Sequence, residues 1–519
     1  MKRLFFILIV CLIYSCNFSQ KDEPAFNPRN KNYKDFVYID ANTFKIADTA
    51  FFPMMVNYKV EPLMIDSNVV ISPAKYYEYT TQYEYDSKDS IMQQMSAHFQ
   101  LMKDLGFNTI RVCMDVLSKD VEGYYYHSSK PVYLKKHNEK ILQALDELLS
   151  IAQSKKLRIM LLVKSPLDKE LMDFTISVMK RFSENSTLFC YDFMNEPLYF
   201  DPAKERNKYD AQEIVAEWKC AMDKYAPHQL FTIGFSEPIE VFEWDPFIMP
   251  VDFVQFHTYH PLRVPNEIWW YSHYIGKPWI IGETSFSVDN DSLPYEMQTY
   301  FMKEVFQYAL NCGASGFGWW EFQDAYDVHF EAQYSGLMNH EGRTKTSKGE
   351  YIVGSLKPAA YEVNNLKKYT PQKEWRAVNY YNMLGYDNIL LKGTILEKET
   401  KQPIEGAVIR GWNENWSIGL NTYTDENGEF TLYSNDVCVH FEISAPGMSK
   451  IKFDSVVNYT IVTENYSLDS LPNKNLEYHD ISYKPFLMND TTLFVFKSDM
   501  FDKAKMEGIL GVFYLEKMK

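Results

Sequence analysis

Two glutamates stand where the sequence can do chemistry. Glu196 ends an apolar, aromatic-rich run, Leu188 to Pro197 (L-F-C-Y-D-F-M-N-E-P), that stops at Asn195-Glu196-Pro197. Strands buried on both faces read as near-continuous apolar runs, and proline ends a ladder because it has no backbone donor. Glu196 therefore belongs at the carboxyl end of a strand. Glu283 closes a second such run at Gly282-Glu283. Two carboxyl groups across a concave site suit glycosidic bond cleavage: one protonates the leaving oxygen, and the other attacks the anomeric carbon or activates water. The pair needs surroundings that push the two pKa values apart, so that one is protonated while the other is ionised.

Candidate tuners are present. Arg111 can hold a nearby carboxylate ionised, and His257 and Tyr259, two apart and so on one face of a strand, can hydrogen-bond it. Trp320 offers a flat apolar floor for a sugar ring. Singly, each reads as readily as a structural ion-pair partner, a satisfied polar residue or core. Together at the ends of successive strands they read as a site.

Those strands must be placed by the fold. From about 36 to 370 the sequence alternates strand and helix. Expected strands are Phe51 to Asn57, Thr109 to Asp115, Arg158 to Lys164, Leu188 to Asn195, Leu230 to Ser236, Phe253 to His260, Pro278 to Phe286 and Ala314 to Glu321. Expected helices are Lys88 to Leu105, Ile141 to Gln153, Leu171 to Phe182, Ala211 to Tyr225 and Tyr295 to Asn311; the first follows a tyrosine-rich loop, Tyr76 to Tyr85. Eight strands alternating with helices fit an α/β fold, a closed (β/α)8 TIM barrel. A doubly wound open sheet is disfavoured because no Gly-x-Gly-x-x-Gly follows an early strand. In a barrel all strand carboxyl ends share one rim, so Glu196 on the fourth strand and Glu283 on the seventh can face each other. Tyr199, Phe200, Trp244, Trp269, Trp270 and Tyr271 follow the strands and either stack sugar rings or anchor loops. After a break, 385–470 alternates in the strand period with turn signals and reads as a small all-β sandwich; 471–519 is an extension without a functional reading.

Composition fits an exported globular protein. The chain has 519 residues, 16% aromatic and 24% charged, with a formal charge of -16, which argues against nucleic acid or anionic lipid as main partner. Residues 1–16 read as a signal segment: Lys2-Arg3, then an apolar stretch too short to span a bilayer. Leu12-Ile13-Tyr14-Ser15-Cys16 resembles a bacterial lipobox, which implies acylation at Cys16, a tether over 17–35 and a lipid-anchored place in the cell envelope, at the outer membrane, as the only membrane contact. Lys21-Asp22-Glu23 resembles the acidic export signals of surface lipoproteins. Cys113, Cys190, Cys220, Cys312 and Cys438 are odd in number and read as small hydrophobes, not a disulfide framework. No Cys/His spacing suggests a metal, and the chemistry requires no cofactor.

The combination of Asn195-Glu196-Pro197, Glu283, Arg111, His257, Tyr259 and Trp320 resembles the clan A retaining glycoside hydrolases, most closely the cellulase/mannanase family 5. The resemblance implies Glu196 as acid/base, Glu283 as nucleophile held by Tyr259, Asn195 on the sugar 2-hydroxyl, a carbohydrate substrate with β linkages, and carboxylates roughly 5 to 5.5 Å apart. Where that family usually has a histidine after the third strand, this chain has Lys164-Ser165-Pro166, and Trp320-Glu321-Phe322-Gln323-Asp324 resembles the barrel of family 2 of the same clan. Gly393-Thr394, Pro403 to Ala407 and Thr424 to Phe430 resemble the carboxypeptidase regulatory-like sandwich, on which Trp412 and Trp416 are candidates for a weak glycan surface. The competing readings are a non-catalytic glycan-binding lipoprotein and a transglycosylase using the same intermediate.

Overall fold

The computed structural model describes residues 33–518 apart from 34, 66, 75–86, 115, 118–125, 128–130, 164–165, 168, 204, 262, 326–329, 373–388, 416, 418, 435, 456, 458, 463–475, 479–480, 489–490 and 498–504. Cys16 with the signal segment, the loop from Tyr76 to Tyr85, Lys164, Ser165 and Trp416 lie outside the described residues. No helix among the described residues is long and apolar enough to cross a membrane.

Eight parallel strands form the barrel: β1 (Met54–Ile65), β2 (Thr109–Cys113), β3 (Arg158–Leu162), β4 (Leu188–Asn195), β5 (Leu230–Phe235), β6 (Val254–His257), β7 (Trp279–Glu283) and β8 (Phe317–Trp319). Each pairs with its neighbour in sequence, and β8 pairs with β1, placing Trp319 opposite Val56, so the sheet closes on itself. The alternation in the sequence therefore gives a TIM barrel. β1 runs longer than its apolar core because its second half pairs antiparallel with Asn68–Pro73 across a turn at Ser67. β6 is shorter than its apolar run: pairing with β7 stops at His257 opposite Glu283, and Tyr259 lies beyond the strand end.

Helices cover the outside. In Lys88–Leu105, Ser87 caps the start by accepting from the Ser90 amide at 3.2 Å, Ile91, Met95, Phe99 and Met102 face inward, and Gly106 ends it at φ 111°, a conformation that costs glycine little. Pro131–Ser154, Lys169–Phe182, Lys208–Tyr225 and Tyr295–Asn311 follow the expected order. The sequence reading missed Val264–Tyr274 between β6 and β7, where Trp269, Trp270 and Tyr271 read as rim residues. Trp270 and Tyr271 are fully buried, as is Trp244, so of the two readings these three take the loop-anchoring one. A ribbon of Tyr38–Asp40, Thr43–Ile46 and Thr49–Ala50 closes the amino-terminal mouth, packing Val37, Ile39 and Phe44 against Met55, Met160, Leu230 and Ile280.

Between β5 and β6 there is no α-helix, only a 3-10 turn at Pro238–Phe242. The C-terminal β domain lies against it. One sheet runs in the order Glu429–Ser434, Ile389–Glu397, Lys505–Leu515, Tyr459–Val462, and the other Gly419–Tyr423, Val408–Trp412, His440–Ser444, Ile451–Asp454. Ile395, Phe430 and Leu515 of the first meet Ile409 and Ile443 of the second, which makes a sandwich. Lys505–Leu515 pairs in parallel with Ile389–Glu397, so this sheet takes in chain from beyond residue 470. Trp412 is buried and stacks on His440. Ile239, Val241 and Phe242 of the turn share one apolar core with Val408 and Phe441 of the second sheet.

Polar contacts fasten the same junction. Lys208 is buried and its ammonium donates to Asp245 at 3.0 Å, to Ser444 Oγ at 2.8 Å and to the Met448 carbonyl at 2.8 Å. Asp245 also accepts from the Gly447 amide at 2.8 Å, and Trp270 Nε1 donates to the Gly406 carbonyl at 2.8 Å. Removing one partner of a buried ion pair strands the other charge. Lys208→Met is expected to cost about 3 kcal/mol of stability, read as a lowered midpoint in urea; a midpoint within error of wild type would show that the junction does not depend on this cation.

Candidate active site

At the carboxyl-terminal rim, one buried guanidinium gathers four strands. Arg111 on β2 donates from Nε to Asp192 Oδ2 at 2.8 Å, from Nη1 to Asn57 Oδ1 at 2.9 Å and to Glu283 Oε1, and from Nη2 to Asn195 Oδ1 at 2.8 Å. Arg111 is fully buried, and the carboxylates of Asp192 and Glu283 keep it charged against that burial. Asp192 in turn accepts from the Gly234 amide at 3.1 Å and from Gln255 Nε2.

Asp192 and Asn195 are three apart on β4, a spacing that on a regular strand sends side chains to opposite faces. The pairing of β4 with β5 shifts register between them, and this irregularity turns both toward Arg111. The next residue, Glu196, has φ 41° and ψ 73°, in the left-handed region that a residue with a Cβ enters at a cost of about 1 kcal/mol or more. Its amide bonds the Gly234 carbonyl at 2.6 Å, and Pro197 starts a short turn, Pro197–Phe200. The strand is thus stopped and its last carboxyl group presented over the rim.

The two glutamates meet different surroundings. Glu283 accepts on Oε1 from Arg111 and on Oε2 from Tyr259 Oη, so both oxygens are held by donors. Burial pushes the Tyr259 phenol well above its ordinary pKa, which keeps it a donor. Among the described residues no such cation contacts Glu196. Burial raises its pKa to about 7, the Glu237 carboxylate adds to the rise, and Arg111 opposes it. His257 lies between them, with Nδ1 2.8 Å from Glu196 Oε1 and 3.5 Å from Glu283 Oε1. Burial lowers its pKa to about 4, so the ring is neutral at pH 7, and two carboxyl oxygens on one side assign its proton to Nδ1. Gly234 and Gly282 flank this ring: a Cβ on Gly234 would stand 2.9 Å from His257 Nε2.

One atom each of Glu196, His257 and Glu283 lies within 4.8 Å of the others. The structure thus brings together Glu196, Glu283, Asn195, Arg111, His257 and Tyr259. Trp320 follows β8, with the Lys59 ammonium 4.8 Å from its ring centroid. Tyr199 and Phe200, 58% and 56% exposed, are the rim aromatics of the sequence reading that do face outward beside Glu196. Sequence reasoning missed Asn57, Asp192 and Gln255. Each is a polar residue set between apolar neighbours in a strand, and that was the available signal.

Comparison with known proteins agrees with this geometry. Residues 72–320, which span the six residues gathered at the rim and Trp320, match the model of the cellulase family, glycosyl hydrolase family 5. Solved structures similar to the chain include an endo-1,4-beta-mannanase from Rhizomucor miehei, at 13% identity over 55% of this chain and 90% of that one with a TM-score of 0.39. A family 5 mannosidase from the same fungus has 12% identity over 64% and 97% with a TM-score of 0.44. The exo-beta-1,4-mannosidase Op5Man5 from Opitutaceae bacterium strain TAV5 has 17% identity over 64% and 62% with a TM-score of 0.42. No curated protein gives a match. The barrel matches glycosyl hydrolase family 5 over residues 72–320, and the protein that carries it is a glycoside hydrolase.

Proposed function

We propose that the protein cleaves β-glycosidic bonds of a neutral polysaccharide or oligosaccharide by double displacement, with Glu283 as nucleophile and Glu196 as acid/base. The observation that carries this reading is the close approach of the two carboxyl groups in opposed surroundings. The nearest oxygens lie within 4.8 Å, closer to the roughly 5 to 5.5 Å between the carboxyl groups of retaining enzymes than to the roughly 6.5 to 9.5 Å of inverting ones.

In the first step Glu283 attacks the anomeric carbon as the proton of Glu196 passes to the glycosidic oxygen, and the bond to the leaving group breaks. A glycosyl ester on Glu283 results. In the second step the Glu196 carboxylate takes a proton from water, whose oxygen attacks the same carbon and releases Glu283. The chain's own charges favour the cationic transition state: Arg111 offsets one of the two carboxylates Asp192 and Glu283 and leaves one negative charge beneath the ring. Asn195 accepts from Arg111 on Oδ1, which turns its NH2 outward as a donor for a sugar hydroxyl.

The lipobox-like Leu12 to Cys16 supports a lipid-anchored envelope protein, so the substrate would be met at the cell surface or in the periplasm.

Three outcomes test the proposal. Glu283→Ala is expected to lower turnover of the best substrate found among β-mannans, β-glucans and xylans by roughly a thousandfold or more, and Glu196→Ala by roughly a hundred to ten thousandfold. Chromatography of the products would show either variant near wild-type rates if the assignment were wrong. Because Glu196 works protonated, kcat/KM should hold below about pH 7 and fall tenfold per unit above it; a profile flat to pH 9 would remove Glu196 from the acid role. Cys16→Ser should lose incorporation of labelled fatty acid in cells, and equal labelling of variant and wild type would rule out the anchor.

A further inference from the structure

Beside Glu196 three loops converge. Tyr199 comes from the turn after β4, Glu237 from the loop after β5 and Arg263 from the start of Val264–Tyr274 after β6. Arg263 Nη1 lies 2.5 Å from Glu237 Oε2, and Tyr199 Oη donates to Glu237 Oε1 at 3.2 Å. Glu240 ties the loops below: its Oε1 accepts from the Leu198 amide at 3.0 Å and from the Ser236 amide and hydroxyl at 3.1 and 3.0 Å. Tyr271 Oη fixes the same loop through the Ser236 carbonyl at 2.8 Å.

We propose that Tyr199, Glu237 and Arg263 form the subsite that receives the leaving group, and that it is built for a neutral sugar residue. The inference rests on the hydrolase reading above. Its first support is position. The Tyr199 amide bonds the Glu196 carbonyl at 2.9 Å, which seats Tyr199 and its partner Glu237 beside Glu196, whereas the groups around Glu283 are Arg111, Tyr259 and His257. In a retaining reaction the acid faces the departing oxygen, so what borders the acid away from the nucleophile borders the leaving group. Its second support is chemistry. Tyr199 and Phe200 expose large aromatic surface for a ring to stack on, and the Glu237 and Arg263 side chains keep 17% and 29% of their surface open. A carboxylate already paired with a guanidinium offers hydrogen bonds to hydroxyls and no net charge to an anionic sugar.

The pair also acts on the acid. Glu196 faces Arg111 from β2, His257 and Tyr259 from β6, Glu283 from β7, and Tyr199, Glu237 and Glu240 from the rim loops. Glu237 itself faces Arg263, Tyr199 and Glu267, the last receiving a hydrogen bond from Thr258 Oγ1 at 2.5 Å. Neutralising Glu237 leaves a net cation near Glu196 and favours its ionised form; removing Arg263 leaves a bare carboxylate and favours the protonated form.

The experiment compares cellotetraose and mannotetraose with dinitrophenyl β-cellobioside and β-mannoside, whose leaving group needs neither a sugar subsite nor a proton. In Tyr199→Ala the ratio of kcat/KM, oligosaccharide over aryl glycoside, should fall about tenfold. Glu237→Gln should move the basic limb of the oligosaccharide pH profile down, and Arg263→Met should move it up. A purely structural role would not give opposite signs. An unchanged ratio, or limbs that stay put or move together, overturns the subsite. A wild-type protein that cleaves none of the four probes and no β-mannan, β-glucan or xylan overturns the hydrolase reading, and the subsite with it; one that cleaves xylans alone is tested in the same way with xylotetraose and dinitrophenyl β-xylobioside.

Discussion

The buried guanidinium of Arg111 is the constraint on which the rest of the site depends. It donates to residues of β1, β4 and β7 from a position on β2, so one side chain sets the relative placement of four strand ends. A planar fork of donors suits this better than a lysine, whose single ammonium cannot address Asn57, Asp192, Asn195 and Glu283 at once. Burying such a charge is unfavourable unless it is paired and fully hydrogen-bonded. The sequence meets that condition by planting Asp192 in an otherwise apolar strand and by the register shift that swings Asp192 and Asn195 to the same side. The positions of Glu283 and Asn195 are both consequences of one desolvated cation.

The division of labour between the two glutamates follows from what each can reach. Glu283 sits at the end of a regular strand, within the fork of Arg111 and under the Tyr259 hydroxyl. Glu196 is lifted off its strand by a left-handed backbone turn, away from that fork, into contact with a neutral histidine and in the field of another carboxylate. Strain in the backbone and the different surroundings of the two carboxyl groups are therefore one feature. Had β4 continued regularly for one more residue, Glu196 would not be presented over the rim as it is.

Much of this was legible in the sequence because it rests on local pattern. The eight apolar runs, the helix starting at Ser87 and the stop at Pro197 follow from periodicity and from the missing amide of proline. So did the carboxylates, since a charged residue closing an apolar run is conspicuous. What escaped was set by contacts between distant segments. Asn57, Asp192 and Gln255 matter only once Arg111 is between them. The aromatic Trp269-Trp270-Tyr271 run has the composition of a sugar platform, yet its helix is turned so that Trp270 meets the β domain and Tyr271 stacks on Phe256. The strand Lys505–Leu515 finds its partner more than a hundred residues earlier, and no window of sequence shows that pairing.

The turn at Pro238–Phe242 bears on what counts as a domain in this protein. Where a barrel of this kind is expected to wrap itself in a helix, the chain supplies none and lays the second sheet of the β-sandwich there instead. The sandwich is thus a section of the barrel's outer wall contributed from the far end of the polypeptide. The same loop that it supports carries Glu237 and Glu240, so a later stretch of chain shores up the edge of a cleft whose first strands were made long before. Architecture and order of synthesis are out of step: the catalytic half lacks part of its outer wall until the strands over 408–454 have been made.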